Sequence, residues 1–306
     1  MKKEHSKGIE LIKKLNIYLV FIILLVVVVS IVGLLLYEVI SPLISPGNIA
    51  VVPIEGILSA NGNPASGYAN ANLIASEIKS ADANPNIKAI VLEIDSPGGN
   101  VVAVNIITAA LKNNNKPVVA WIQTLGASGA YWVASYANKI VADNYSTVGS
   151  IGVTSSYLDY ANYLKSKNIT YYQIVAGSQK EIGSPYVNLT QAEFQRLQNM
   201  TNLVYSEFVS EVAANRNLST SFVRGTNATI FLGYQAKSLG LVDYIGDAPT
   251  VRSLLENITG LSSLSFVNYD QFGEGFYSLS SQYSNSELQY AGIYALLSPN
   301  NINVSI

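Results

Sequence analysis

The chain has no cysteine and a single histidine. Without cysteine there are no disulfide bridges, thiolate zinc sites or cysteine nucleophiles. The one histidine, His5, stands in a lysine-rich N-terminal stub, which excludes a Ser-His-Asp triad assembled inside a folded domain. Charge is scarce too: 12% of the 306 residues are charged, against a usual share of roughly 25%. With 18 Lys and Arg facing 20 Asp and Glu, no basic excess is left for a nucleic-acid partner. The sequence carries no metal-ligand spacing and no cofactor motif, so neither a metal nor a cofactor is expected.

What the chain does have is one long uncharged apolar run. From Ile17 to Tyr37 Leu, Ile, Val and Phe dominate and no residue is charged. At about 1.5 Å per residue the run spans the roughly 30 Å hydrocarbon core, which predicts a transmembrane helix. It exceeds the ~7–15-residue apolar region of a cleaved signal peptide, and Leu34-Leu-Leu-Tyr37 passes into Glu38 with no small-residue cleavage site. Lys2, Lys3, Lys7, Lys13 and Lys14 precede it, and the next basic residue is Lys79. The positive-inside rule then puts residues 1–16 in the cytoplasm and everything after Glu38 outside, on a single-pass anchor in the cell membrane. The N-x-S/T sequons at Asn144, Asn168, Asn188, Asn199, Asn217, Asn227, Asn257 and Asn303 all lie beyond the run, in agreement with that placement.

Residues 38–48, with Pro42, Pro46 and Gly47, read as a linker. Residues 49–261 then alternate between strand and helix patterns. Strands are expected at 49–56 (at an edge, given Pro53), 87–94, 117–122 and 139–142, with helices at 72–81, 101–111 and 128–136. That succession is the mark of an α/β domain with a largely parallel sheet. Further on come a helix around 157–165, a strand around 169–175, and a long helix around 190–215 opened by a Thr190–Glu193 capping box. A strand-and-turn element at 240–246 and a last helix at 250–261 complete the domain. Residues 262–306 form a polar, aromatic-containing tail with no predicted structure.

Two glycine turns carry the chemistry. Ile94-Asp-Ser-Pro-Gly-Gly-Asn100 closes a buried strand and opens a helix, with Asn100 as N-cap. Backbone N–H groups at such a junction suit an oxyanion. Gly126-Ala-Ser-Gly-Ala-Tyr-Trp132 is a second strand-to-helix junction, one strand later. It sets Ser128 and the Gly129 N–H at the same C-terminal sheet edge, where α/β sites form. Either turn alone reads as an ordinary tight turn, and Ser128 alone as an N-cap. The two together, in consecutive βα units, read as a nucleophile facing an oxyanion hole. With no histidine at hand, the base for a serine is a lysine held neutral in an apolar pocket, far below its ordinary pKa of about 10.4. Lys139, Lys165, Lys167, Lys180 and Lys237 follow Ser128. Lys180, between Gly177 and Gly183 in a segment too irregular for helix or strand, is the most eligible by position.

These two stretches occur in order with Lys139-Ile-Val-Ala142, Thr147-Val-Gly-Ser-Ile-Gly-Val153, Lys180 before Ser184-Pro185, and Gly233-Tyr-Gln-Ala-Lys-Ser-Leu-Gly-Leu-Val-Asp243. The set resembles the signal peptide peptidase A family of membrane-anchored Ser-Lys proteases, over about residues 49–247. The resemblance implies a ClpP/crotonase-like spiral of βα units. It implies a serine endopeptidase with Ser128 as nucleophile, Lys180 as general base, Gly98 and Gly129 as oxyanion donors, and Ser150 as the hydroxyl that orients the lysine. Substrates would be apolar peptides such as signal-peptide remnants, bound by strand addition along Gly99, Asn100 and Val101. The active unit would be a homo-oligomer, with the lysine supplied by a neighbouring chain. Ala130 stands where the family often has glycine. Two other readings stay open: a stomatin-associated membrane-protein protease with the same dyad, and an inactive peptide-binding scaffold of the same fold. A crotonase-type acyl-CoA enzyme shares the fold but would ask for carboxylates near the oxyanion hole.

Overall fold

The computed structural model describes Tyr18, residues 23–32 and residues 47–269, and the chain divides into two units, residues 1–47 and 48–306. In the first unit, residues 23–32 are α-helical with exposed apolar side chains. Ser30 returns its hydroxyl to the Val26 carbonyl at 2.8 Å. The stub 1–16, most of the expected span 17–37 and linker residues 38–46 lie outside the described residues. Among the described residues no helix is long and apolar enough to cross a membrane.

The second unit is built on one mixed sheet. Strands β1 (Ile49–Glu55), β4 (Ala89–Ser96), β5 (Val118–Ala127), β6 (Lys139–Ala142) and β9 (Tyr244–Ile245) lie side by side in parallel, with β10 (Phe266–Asn268) outside β1. β7 (Thr147–Gly149) runs parallel to the end of β5 and pairs antiparallel with β8 (Ile230–Leu232). A small separate pair, β2 (Ile57–Ser59) and β3 (Tyr68–Asn70), follows β1. The helices are α1 (Ala71–Ala83), α2 (Val101–Lys112), α3 (Gly129–Ala134), α4 (Ala161–Ser166), α5 (Gln191–Arg216), α6 (Thr220–Gly225), α7 (Gly233–Ser238) and α8 (Ala248–Thr259).

The apolar strand sequences are explained by burial on both faces, as parallel sheets require. Val52, Ile54, Leu92, Ile94, Ala120 and Ile122 pack into the main core beneath α1, α2 and α3. Their alternates Ile49, Ala89, Val91, Val119 and Val141 pack against Val251 and Leu255 of α8. Helix starts follow the side chains that cap them. Asn70 accepts the Leu73 N–H and opens α1, Asn100 accepts the Val102 N–H and opens α2, and the Thr190–Glu193 capping box opens α5.

Three elements depart from expectation. β1 is not an edge strand, but β10 pairs only with Ile49–Val51, so Pro53 lies on the part that β10 leaves uncovered. No strand forms at 169–175; the segment has no neighbouring strand, and Ile174 is 100% exposed. β10 itself falls within the stretch expected to be unstructured, of which residues 270–306 lie outside the described residues. From residue 152 to residue 207 no residue is buried, although Tyr172, Phe194 and Leu203 there are large and exposed. α5 is therefore two helices in one. Its N-terminal half is uncovered, while Phe208, Val209, Val212 and Ala213 near its C-terminus are buried.

Candidate active site

β5 delivers Ser128 at the top of the sheet in an unusual conformation. Its φ of 53° and ψ of −126° lie where a non-glycine residue is strained by about 1–3 kcal/mol. Backbone ties hold it there. The Ser128 N–H donates to the Gly149 carbonyl at 2.8 Å, and the Ser128 carbonyl accepts the Trp132 N–H at 3.0 Å. Although Ser128 occupies the N-cap position of α3, its side chain makes no cap hydrogen bond. The hydroxyl is thus not spent on helix capping, and Ser128 remains half-buried. α3 is fixed from below. The buried Tyr131 hydroxyl donates to the Leu241 carbonyl at 2.8 Å. Trp132 stacks on Phe208 at 4.3 Å between ring centroids and donates its indole N–H to Glu211 at 2.6 Å. Burial pushes the Glu211 carboxyl up, but hydrogen bonds from Lys112, Tyr136 and Trp132 outweigh it and hold the group below its usual range.

The Gly98 turn packs directly on the serine turn. Gly98 has φ +91°, and a Cβ there would stand 2.5 Å from the Gly129 nitrogen and 3.0 Å from Ser128 Cβ. Only glycine fits, on both conformational and steric grounds. A Cβ on Gly129 would stand 2.7 Å from Val104 Cγ2, so this position too is closed to larger residues. Gly129 opens α3, where N–H groups have no intrahelical acceptor. The Gly98 N–H, expected to face an oxyanion, is instead donated to Ser96 Oγ at 3.1 Å. The buried Ser96 in turn donates to the Gly56 carbonyl at 2.6 Å. Gly99, unlike Gly98, is exposed, and no acceptor among the described residues takes its N–H.

The segment expected to receive a substrate strand already has one neighbour. Leu58 of β2 bridges Gly99 in parallel, donating its N–H to the Gly98 carbonyl at 2.8 Å and accepting the Asn100 N–H at 2.9 Å. The Asn100 side chain is spent on capping α2. What remains open is the opposite edge, formed by the N–H and C=O of Gly99, with Val101 exposed beside it.

Ser150 joins Ser128 by register. The pairs Leu125↔Thr147, Gly126↔Val148 and Ala127↔Gly149 end the ladder at the residues just before Ser128 and Ser150, so the two serines leave the ends of neighbouring parallel strands. Ser150 is also at positive φ, 53°, with its N–H on the Thr229 carbonyl at 3.0 Å. Lys180 is placed differently. It is exposed on a turn closed by its own N–H to the Gly177 carbonyl at 3.1 Å, and no hydrogen bond or ion pair among the described residues joins its ammonium to Ser128 or Ser150. The structure packs the Gly98 turn against the Ser128 turn, as the sequence led one to expect, and leaves Lys180 apart from both. Sequence reading missed the Ser96 hydroxyl that turns Gly98 inward, for which the only signal was a serine inside the turn.

The chain is similar to known proteases. The chain is 32% identical over 268 residues to a putative protease of Methanocaldococcus jannaschii, covering 83% of this chain and 86% of that protein. It is 29% identical over 232 residues to a putative signal peptide peptidase SppA of Enterococcus faecium, covering 74% and 67%. To Protease 4 of Salmonella typhi it is 32% identical over 219 residues, covering 69% of this chain but only 34% of that protein. The chain thus spans about a third of Protease 4. Residues 110–262, which hold the Ser128 turn, Ser150, Lys180 and all of α5, match peptidase family S49. The family match over half of the chain, with the archaeal relative covered over most of its length, makes this chain a member of peptidase family S49.

Proposed function

We propose that the chain is a membrane-anchored serine endopeptidase of ClpP/crotonase-like fold that cleaves extended apolar peptides, such as signal-peptide remnants. One observation carries this reading. Ser128 is strained, uncapped and packed against the Gly98–Gly99 turn, in a domain with no histidine to serve as its base. Ser128 Oγ attacks the scissile carbonyl carbon and gives its proton to Lys180 Nζ. The Gly129 and Gly99 N–H groups stabilise the oxyanion. The amine leaves with the proton, and a water deprotonated by the same lysine hydrolyses the ester and frees Ser128. Ser150, one strand over, orients the lysine amine. The substrate strand adds at the open edge of Gly99 to Val101.

Lys180 is exposed, and a neutral lysine needs a dry pocket. The long stretch 152–207 offers exposed Tyr172, Ile174 and Leu203 but buries nothing of its own. Both features favour a homo-oligomer in which this stretch is covered by a neighbouring chain and delivers Lys180 to that chain's serine. The apolar run 17–37 and the lysines before it support an anchor with a cytoplasmic N-terminus and the protease domain outside.

The test is labelling of the full-length protein by a fluorophosphonate, which reacts with activated serines. Wild type should label and Ser128→Ala should not. Lys180→Arg should lose activity although it keeps the charge, because arginine does not deprotonate in proteins. Labelling of Ser128→Ala at the wild-type level refutes the nucleophile; a wild-type protein that never labels identifies the inactive peptide-binding scaffold instead.

A further inference from the structure

Each turn of the site runs straight into a helix. Gly99 stands two residues before α2, and Gly129 is the first residue of α3. The placement of α2 against α3 therefore sets how the two oxyanion N–H groups stand around Ser128. The helices meet near these starts, where Val104 Cγ2 fills the space a Cβ on Gly129 would need. A single contact leaves room to swing. Farther along, one carboxylate joins them. Glu211 of α5 accepts the Lys112 ammonium on Oε1 at 2.7 Å and the Trp132 indole N–H on Oε2 at 2.6 Å. Lys112 is the last residue of α2, and Trp132 the fourth of α3.

Helix packing by itself asks for less. The stack on Phe208 already covers the Trp132 ring, and an indole N–H needs one acceptor of any kind. An ion pair with a lysine whose side chain is 49% exposed adds little to stability. A carboxylate, however, offers a separate oxygen to each of two donors, and here the donors come from two different helices. Lys112 is itself held, with its ammonium 5.3 Å from the centroid of the Tyr136 ring. α2 is a twelve-residue rod about 18 Å long, so pinning its far end fixes where its start points. The strained Ser128, at φ 53° one residue before α3, persists only where its surroundings over-determine it.

We propose that Glu211 is a positioning residue. By bridging Lys112 of α2 to Trp132 of α3 it locks the two helix starts against each other, and with them the Gly99 and Gly129 donors on either side of Ser128. This rests on Ser128 being the nucleophile. Glu211 acts through its two partners, so each arm of the bridge is needed.

The experiment cuts the arms separately and together in the full-length protein. Trp132→Phe keeps a ring on Phe208 without the N–H, and Lys112→Met keeps the length without the ammonium. The double variant and Glu211→Leu remove the bridge outright. Each is read for the second-order rate of Ser128 labelling by a fluorophosphonate, for kcat and KM on an apolar fluorogenic peptide, and for thermal stability. A bridge in series fails when either arm is cut. Each single variant should slow labelling and kcat by about 10-fold with KM changed less than about threefold. The double variant and Glu211→Leu should then be no more than about threefold slower than the singles. A wild-type labelling rate in either single variant overturns the proposal, even where the melting temperature falls, since the contact would then serve stability alone. Losses that multiply in the double variant overturn it too, because the arms would act independently. If Trp132→Phe or Glu211→Leu does not fold, Lys112→Met at the exposed end decides alone. A label that survives in Ser128→Ala brings down the nucleophile assignment and this proposal with it. A Ser128-dependent label indifferent to Lys112→Met brings down the bridge only.

Discussion

At Gly98 two demands fall on one atom. The backbone sits at φ +91°, and the space where a Cβ would stand belongs to the Gly129 nitrogen and Ser128 Cβ. Gly98→Ala should therefore push the two turns apart, and fluorophosphonate labelling should fall by about 100-fold or more. Global stability should drop by only about 1–3 kcal/mol, because the turn lies at the sheet edge. A labelling rate within threefold of wild type would show that the turns are not in register for catalysis. Asp95 makes a second prediction, with a sign set by its raised pKa. A carboxyl at about 6 in the fold and 3.8 otherwise weakens the fold wherever it is ionised in both states, that is above pH 6. The penalty fades as pH falls from 6 to 3.8, and below 3.8 it is absent. Asp95→Asn should thus melt higher than wild type at pH 8, with the difference closing by pH 4. An advantage that grows on acidification contradicts this. Spacing in the sequence singled out Ser128 only through its pairing with the Gly98 turn in consecutive βα units, since a serine between glycines at a strand end reads by itself as an N-cap. It could not tell Gly98 from Gly99 as a donor, since that depends on where the Ser96 hydroxyl points.

Helix α5 shows how one element can serve two environments. Its C-terminal half carries Phe208 onto Trp132 and Glu211 onto Lys112 at 2.7 Å, clamping the helix that starts at the serine. Its N-terminal half buries nothing and depends on its cap. Removing the cap with Thr190→Ala costs about 1 kcal/mol locally. Since the first turns are not packed on the core, amide exchange across 191–196 should accelerate while the melting temperature of the isolated chain barely moves. A cooperative loss of several degrees would mean that the N-terminal half is braced in a way the fold does not display. The main-sheet strands and the helices of 49–142 were legible because each strand is a short apolar run and each helix begins at an Asn or a small residue, whereas β2 and β3, of three residues each, are too short to show a period. Residues 169–175 misled because β-branched and tyrosine residues favour strands only where an edge is free to pair with them. β10 was hidden for the opposite reason. Phe266-Val-Asn268 is too short to show a period, and its partner lies more than two hundred residues away.

For the whole molecule, a stretch with exposed large apolar groups from residue 157 to residue 203 argues for partners, and the choice of partner is testable. Ser128→Ala and Lys180→Ala, each inactive alone, should restore about a quarter of wild-type activity when co-expressed, because random neighbours supply serine and lysine together at about that frequency. No recovery in verified mixed oligomers would confine each dyad to one chain. The full chain should also stay with membranes through an alkaline carbonate wash, as a spanning helix does; release by the wash would reduce the apolar run to a surface attachment.

The seam between β1 and β10 has a consequence for the chain as it is made. Ser265 takes the N–H groups of both Asn48 and Ile49 and donates its own to the Asn48 side chain, 217 residues earlier in sequence. A ribosome therefore completes every other strand of the sheet before it releases the one that closes this side. Until then Ile49, Ala50 and Val51 hold an apolar edge with free amides and carbonyls, an open template for another nascent chain. Translation that stops short of Ser265 leaves that edge bare permanently, so the few residues of β10 protect the finished domain from aggregation.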